Sequence, residues 1–355
     1  MNKETIKQTF IDLINISEVF PHEDEVIDYI RSRLEKADVY YRLDRFRNII
    51  AFVPGIGEPI LLNSHMDIPE PNPDVSYFFD DDLIRADGTN ILGADPKAGL
   101  AVLIDFVCYI NNHDHNTHRP IEAVITRGEE SGLIGASNLD YSMLNSKKGI
   151  VLDEDGPVER VIVKAPTKIN FDVTFHGKPG HPCRPESNSM VEAISVALSR
   201  MPQGFSKAGT FNIGYLNSGT ARNVIAGKAK LHGELRGHNT RALIEECAKI
   251  RKIFLETAEK YEAGCFFEEN FLYLSYSINM ESELISKIRQ THSVLGMKTS
   301  FADTYGGSDA NKFNARGIET VPIGSGYYNS HQYDEFVSLS DMQDIFEFLK
   351  KFFSL

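Results

Sequence analysis

Residues 95–126 read DPKAGLAVLIDFVCYINNHDHNTHRPIEAVIT. From Lys97 to Asn111 the chain is apolar almost all round, which predicts a buried helix rather than an amphipathic surface helix. A turn-rich stretch follows. PIEAVIT (120–126) is then a short apolar run that reads as a buried strand. A buried helix feeding a buried strand is the unit from which sheets with covered faces are built.

The same pattern extends both ways. Upstream, apolar periodicity predicts helices over 4–19 and 23–36, with Phe10, Leu13 and Ile14 on one face of the first. Strand-like runs follow at VYYRL (39–43), NIIAFV (48–53) and PILLNSH (59–65), with Gly55, Gly57 and Pro59 marking a turn. Downstream come a short helix near 132–140 and the strand GIVLD (149–153). KINFDVTFHG (168–177) changes style. It alternates with period two, as a half-exposed strand does, and is followed by a helix at 188–200, strands near 209–216 and 228–236, and a long helix at 239–262. After about 270 the first style returns, with a helix at 281–295, a strand at 298–302, a helix from Ser308, the strand ETVPIG (319–324) and a final helix from Ser340. The expected fold is α/β: a mixed, mostly parallel central sheet flanked by helices. Residues 1–165 and 271–355 would form this domain, and residues 166–270 an inserted, smaller α+β domain.

The 355 residues are 42% apolar and 25% charged, ordinary for a folded chain with a sizeable core. Thirty-seven basic and 50 acidic residues give a net charge of −13, which argues against nucleic acid or an anionic membrane as partner. No apolar run is long enough to cross a bilayer, and no signal-peptide pattern opens the sequence. Cys108, Cys183, Cys247 and Cys265 are scattered, with no CxxC pair. That disfavours a disulfide framework or a thiolate zinc site and suits a reducing, cytoplasmic location.

The chemistry-bearing residues stand where strands stop. LLNSHMD places His65 and Asp67 there, and GADPK places Asp95 just before the buried helix. TRGEESG places Glu129 and Glu130, LDEDG places Asp153, and YYNSHQYDEF places His331 after a Gly-rich turn. Ligands of α/β sheets bind beyond the carboxyl ends of the strands, so these signals can converge on one crevice. Two imidazoles and several carboxylates without thiols suit zinc, manganese or cobalt in an open site. So many carboxylates need cations nearby, because repulsion and desolvation would otherwise oppose their meeting. Each signal alone also fits a helix cap or an ion pair. His113, His115 and His118, in NNHDHNTHR, have turn composition and read as a solvated loop.

RADGTNILGADPKAGLA (85–101), ITRGEESGLIGA (125–136), LDEDGPV (152–158), GKPGHPCRPESNSMVEAI (177–194), TARNVIAGKAKLHGELRGH (220–238) and YGGSDANKFNARGIET (305–320) occur in that order. Together they resemble the co-catalytic metallopeptidases, a family that includes peptidase T, carboxypeptidase G, aminoacylase and succinyl-diaminopimelate desuccinylase, and most closely its peptidase T-like members. The resemblance runs from about residue 60 to about 335.

It implies a zinc-exopeptidase type of catalytic domain, an inserted lid or dimerisation domain, and two divalent ions per chain, zinc first with manganese or cobalt as alternatives. His65 and Asp153 would hold one ion and Glu130 and His331 the other, with Asp95 between them. Glu129 would be the general base, and Asp67 would orient His65. His181 of a partner subunit would assist the oxyanion, and Asn223 and Arg236 would contact substrate; a turn histidine and an ordinary ion pair are the plain readings of His181 and Arg236. The implied activity is hydrolysis of short peptides, as by a tripeptide aminopeptidase. A deacylase of N-acyl amino acids, a carboxypeptidase and a non-catalytic dimeric binding protein are the alternatives. A homodimer would form through the insert, by its edge strand near 205–215 or its helix at 188–200. Two departures stand out. Pro96 replaces an acid usual after the bridging aspartate, and a cis Asp95–Pro96 bond is expected because proline lowers the cis penalty to about 0.5–1 kcal/mol. HPCRPE replaces the small residues usual after the histidine of the insert.

Overall fold

The computed structural model describes residues 3–16, 18–183, 186–201 and 204–355. Arg184 and Pro185 of the HPCRPE stretch therefore lie outside the described residues. The chain divides into two compact units. One comprises Met1–Val163, Ser277–Asp303 and Ser308–Leu355; the other comprises Lys164–Tyr276 and Thr304–Gly307. The boundary expected at 270/271 falls inside a strand, Gly264–Tyr273.

The first unit is built on a mixed sheet. Its strands run in the order Tyr40–Leu43, Ile49–Val53, Ile121–Thr126, Ile60–His65, Lys148–Leu152, Glu319–Ile323 and Arg160–Ala165. Ile121–Thr126, Ile60–His65, Lys148–Leu152 and Glu319–Ile323 are mutually parallel neighbours. Ile60–His65 and Ile121–Thr126 are buried at every position, which is why both read as unbroken runs rather than alternations. Because these strands are parallel, their carboxyl ends share one edge. His65 pairs with Thr126 and Asn63 with Val151, so the residues following Thr126 and Leu152 emerge beside His65.

The helix Ala94–Asn111 lies over this sheet with nearly every side chain buried. Its Gly99 permits close approach, since a Cβ there would stand 2.6 Å from the carbonyl oxygen of Leu152. Helices Lys3–Ile14 and Leu339–Phe353 pack on it. The Phe106 ring meets Phe346 edge-on at 5.9 Å and Phe353 at 5.5 Å. Burial of such side chains contributes about 1.5–3 kcal/mol each.

A second, four-stranded sheet of this unit runs Tyr327–Tyr328, Phe336–Ser338, Leu83–Ala86 and Tyr77–Asp80. The sequence predicts no strand over 77–86. Tyr77–Asp80 is mostly exposed and runs into three aspartates, so apolar alternation is lost there. The helix expected over 4–19 ends at Ile14. No described helix is long and apolar enough to cross a membrane.

The second unit is a five-stranded antiparallel sheet in the order Gly204–Phe205, Thr210–Ser218, Lys228–Gly237, Thr167–His176, Gly264–Tyr273. Helices Met190–Ser199 and Thr240–Lys260 cover one face. Beneath them Phe171 stacks with Phe211 at 5.8 Å and with Phe267 at 5.7 Å. The strand Gly264–Tyr273 escapes period-two reading because its Phe266–Phe267 and Glu268–Glu269 pairs are doubled.

Candidate metal centre

His65 is the last residue of its strand, and Asp67 follows two positions later. Asp95 stands at the start of the buried helix in extended backbone (φ −84°, ψ 112°), as a residue before proline is biased to do. The Asp95–Pro96 bond is cis, as expected from the sequence. His331 lies in the loop joining Tyr327–Tyr328 to Phe336–Ser338, with φ 62°.

Arg127 holds the chain in place before the two glutamates. Its guanidinium pairs with the fully buried Glu23 at 2.5 Å and donates to the carbonyls of Phe46 and Pro21. Gly128 then turns with φ 58° in the left-handed region, where a Cβ would strike the Phe20 ring at 2.7 Å. Both requirements explain why the pair of acids follows an Arg–Gly step.

The side chains meet. His65 Nε2 lies 3.2 Å from Asp95 Oδ1 and 3.5 Å from Asp153 Oδ1. His331 Nε2 lies 3.3 Å from Asp95 Oδ2 and 2.9 Å from Glu130 Oε1. The two oxygens of one carboxylate, Asp95, thus face two different imidazoles. Donor atoms of His65, Asp95 and Glu130 all lie within 4.8 Å of one another. Asp67 Oδ1 is 3.4 Å from His65 Nδ1 and accepts the backbone N–H of Glu129 at 2.9 Å, while its Oδ2 accepts that of Glu130 at 3.2 Å. The Tyr327 hydroxyl donates to Asp153 Oδ1 at 3.4 Å.

The electrostatics are those of acids short of cations. Burial pushes Glu129 well above the ordinary carboxyl range against the pull of His65, with Asp153 and Glu130 adding to the rise. Burial likewise raises Glu130 and Asp153. Burial also disfavours the His65 cation, but Asp153, Asp67 and Asp95 outweigh it and hold the imidazole well above its usual value. Hydrogen bonds to Asp95 and Glu130 push His331 up to about 11. Against burial, the two imidazoles hold Asp95 below the usual carboxylate range. Nitrogen and oxygen donors, with more carboxylates than the two imidazoles beside them can balance and no thiolate among the described groups, make a donor set that fits divalent cations of the zinc, manganese or cobalt type. A surface concavity of about 800 Å³ opens beside His331, lined also by Pro69, Ile91 and Tyr333.

With this geometry in view, comparison with known proteins decides the family. The model of peptidase family M20/M25/M40 matches residues 61–354. The chain belongs to that family. It is therefore a peptidase, of the peptidase T-like kind. A tripeptidase from Staphylococcus aureus is 28% identical, with a TM-score of 0.93 over 99% of this chain and 98% of that one. The aminopeptidase PepT of Bacillus cereus is 27% identical, with a TM-score of 0.87 over the same shares. The uncharacterized protein YqjE of Bacillus subtilis is 29% identical over 96% of this chain and 95% of its own length.

His181, Asn223 and Arg236 of this M20 peptidase lie in the second unit. His181 is exposed, and its Nδ1 accepts the Cys183 N–H at 3.3 Å. Asn223 is exposed in the turn before Lys228–Gly237. The guanidinium of Arg236 pairs with both oxygens of Glu234, at 2.8 and 3.3 Å, and donates to the Tyr305 carbonyl.

Sequence reading missed two acids. Glu335 is four residues after His331 and is buried. Asp309, within YGGSDA, is also buried; it accepts from the Thr126 hydroxyl, and burial raises it to about 6. Neither stands at the end of a parallel strand, so the signal that found the others passes over them.

Proposed function

We propose that the peptidase is a two-cation-dependent exopeptidase that removes the N-terminal residue of short peptides, tripeptides foremost. The observation that supports this most is the Asp95 carboxylate, with one oxygen toward His65 and the other toward His331. In this reading His65 and Asp153 would hold one ion and Glu130 and His331 the other, with Asp95 between them. Zinc is the first choice. When bound, a cation pair polarises the scissile carbonyl and acidifies the attacking water.

The chain's own groups do the rest. Asp67 orients His65 and fixes the backbone of both glutamates. Glu129 takes a proton from the attacking water as the new carbon–oxygen bond forms. It gives that proton to the amine nitrogen as the carbon–nitrogen bond breaks. Burial raises the Glu129 carboxyl toward the range where it can do both. His181 of the partner subunit would donate to the developing oxyanion, Asn223 would contact substrate, and Arg236 would meet a substrate carboxylate after exchange from Glu234.

The named activities of the S. aureus and B. cereus proteins favour the aminopeptidase over the deacylase and carboxypeptidase. A homodimer through the second unit, by its edge strand Gly204–Phe205 or its helix Met190–Ser199, is part of the proposal, supported by the exposed Phe205 of the edge strand. The four free cysteines suit a cytoplasmic location.

Elemental analysis together with a panel of tripeptides, dipeptides and N-acyl amino acids tests the reading. Up to two divalent ions per chain and fastest release of the N-terminal residue of tripeptides are expected. Absence of bound metal, or preference for N-acyl amino acids, overturns it. Light scattering on the eluted protein tests the dimer.

A further inference from the structure

Glu335 is a wholly buried acid with no basic side chain among its hydrogen-bond partners. Its Oε2 accepts the backbone N–H groups of Leu92 and Gly93, both at 2.8 Å, and its Oε1 accepts that of Asp95 at 3.1 Å. These groups lie at the start of the helix Ala94–Asn111. That helix has no side-chain cap of its own, since Gly93 occupies the cap position with φ 72°. A carboxylate at a helix N-terminus is favoured by the exposed N–H groups and the helix dipole.

Position 93 cannot readily carry a serine or aspartate cap, because its φ of 72° favours glycine and a Cβ there would stand 3.3 Å from Ile68 Cγ2. Here the acid comes instead from the loop that carries His331. That loop is itself fixed: the Glu335 N–H donates to the Gln332 carbonyl at 3.1 Å, and the Glu335 carbonyl accepts the Ala86 N–H at 2.9 Å. One side chain therefore ties the backbone of Asp95 to the segment bearing the imidazole that faces Asp95 Oδ2.

We propose that Glu335 is a positioning residue that sets where the Asp95 carboxylate stands between His65 and His331, and so the spacing of the two cation positions. The inference rests on the two-cation reading above. It adds a residue outside the ligand set that acts through the backbone of the bridging acid.

The test uses the full-length enzyme with Glu335→Ala and Glu335→Gln. Three quantities are read: affinity for divalent ions by chelator competition, the visible absorption spectrum of the cobalt-loaded protein at saturation, and kcat and KM on a tripeptide. Glu335→Ala should weaken binding of at least one ion by about 10-fold or more and alter the cobalt spectrum. It should also lower kcat by about 10-fold or more, with KM nearly unchanged. Glu335→Gln keeps a carbonyl oxygen for Leu92 and Gly93 but turns an amide N–H toward that of Asp95, so it should fall between. If Glu335→Ala does not fold, Glu335→Gln decides on the same readouts. A lowered melting temperature with wild-type metal affinity, spectrum and kcat would mean that Glu335 is only a helix cap, and the inference is overturned. Failure of the wild-type enzyme to bind divalent ions overturns the two-cation reading and this inference together. Normal binding in both wild type and variants removes this inference alone.

Discussion

The Asp67 carboxylate accepts the backbone N–H of Glu129 at 2.9 Å. The same acid lies 3.4 Å from His65 Nδ1, so one side chain links the orientation of an imidazole to the backbone of the proposed base. Asp67→Ala would remove the carboxylate beside His65 Nδ1 and leave the backbone N–H groups of Glu129 and Glu130 without an acceptor. Activity or metal affinity should fall about 10–100-fold, with Asp67→Asn intermediate. Steady-state kinetics and metal titration check this, and wild-type values for Asp67→Ala would show that the linkage has no consequence.

Glu129→Ala should abolish most hydrolysis while both ions stay bound. Loss of a general base lowers rates by about 10²–10⁴-fold. Tripeptide turnover alongside elemental analysis of the same sample checks it. Full activity would remove Glu129 from the mechanism, and loss of metal would make it a ligand instead.

The Arg127–Glu23 pair is buried on both sides. Burial raises Glu23 despite its bonds to Arg127, so the cost of desolvating the acid outweighs the attraction within the pair. Arg127→Met would strand a buried acid and destabilise the fold by about 3–5 kcal/mol. A lowered midpoint in urea denaturation is expected. Turnover per folded molecule should fall too, because Gly128 donates to the same glutamate at 3.1 Å.

His292 is fully buried against the Phe348 ring, and burial lowers its pKa to about 4. Unfolded, it would protonate near the ordinary imidazole value of about 6.5. The unfolded chain therefore binds a proton between these limits that the folded chain refuses. Its contribution is fully present above about pH 6.5 and is lost as pH falls to about 4, a change of about 3 kcal/mol. His292→Gln should flatten the acid limb of the stability profile over this window. An unchanged limb would place the acid sensitivity elsewhere.

Chelation should lower the melting temperature as well as stop turnover. An ion present at about 1,000 times its dissociation constant stabilises the folded state by about 4 kcal/mol. Calorimetry with and without a chelator, followed by zinc addition, checks the shift and its reversal.

The α/β class and the strand-end acids were legible because buried parallel strands write themselves as continuous apolar runs, and each run stops at a polar residue. Ile60–His65 and Lys148–Leu152 are examples, ending at His65 and just before Asp153. Edge strands such as Tyr77–Asp80 carry no such mark, because they bury little. Glu335 was illegible for another reason. It works on backbone N–H groups some 240 positions away, and backbone partners leave no trace in residue identity. An ordinary ion pair is the plain sequence reading of Arg236, but its partner Glu234 and the contact with both carboxylate oxygens come only from the fold.

The shared edge of the parallel strands has a consequence for biosynthesis. His65 and His331 belong to opposite ends of the chain and become neighbours of Asp95 only after both segments have joined one fold. A ribosome-bound chain that has not yet delivered His331 presents an incomplete set of donors. Hydrolytic competence should thus arrive late, only after synthesis has passed that histidine.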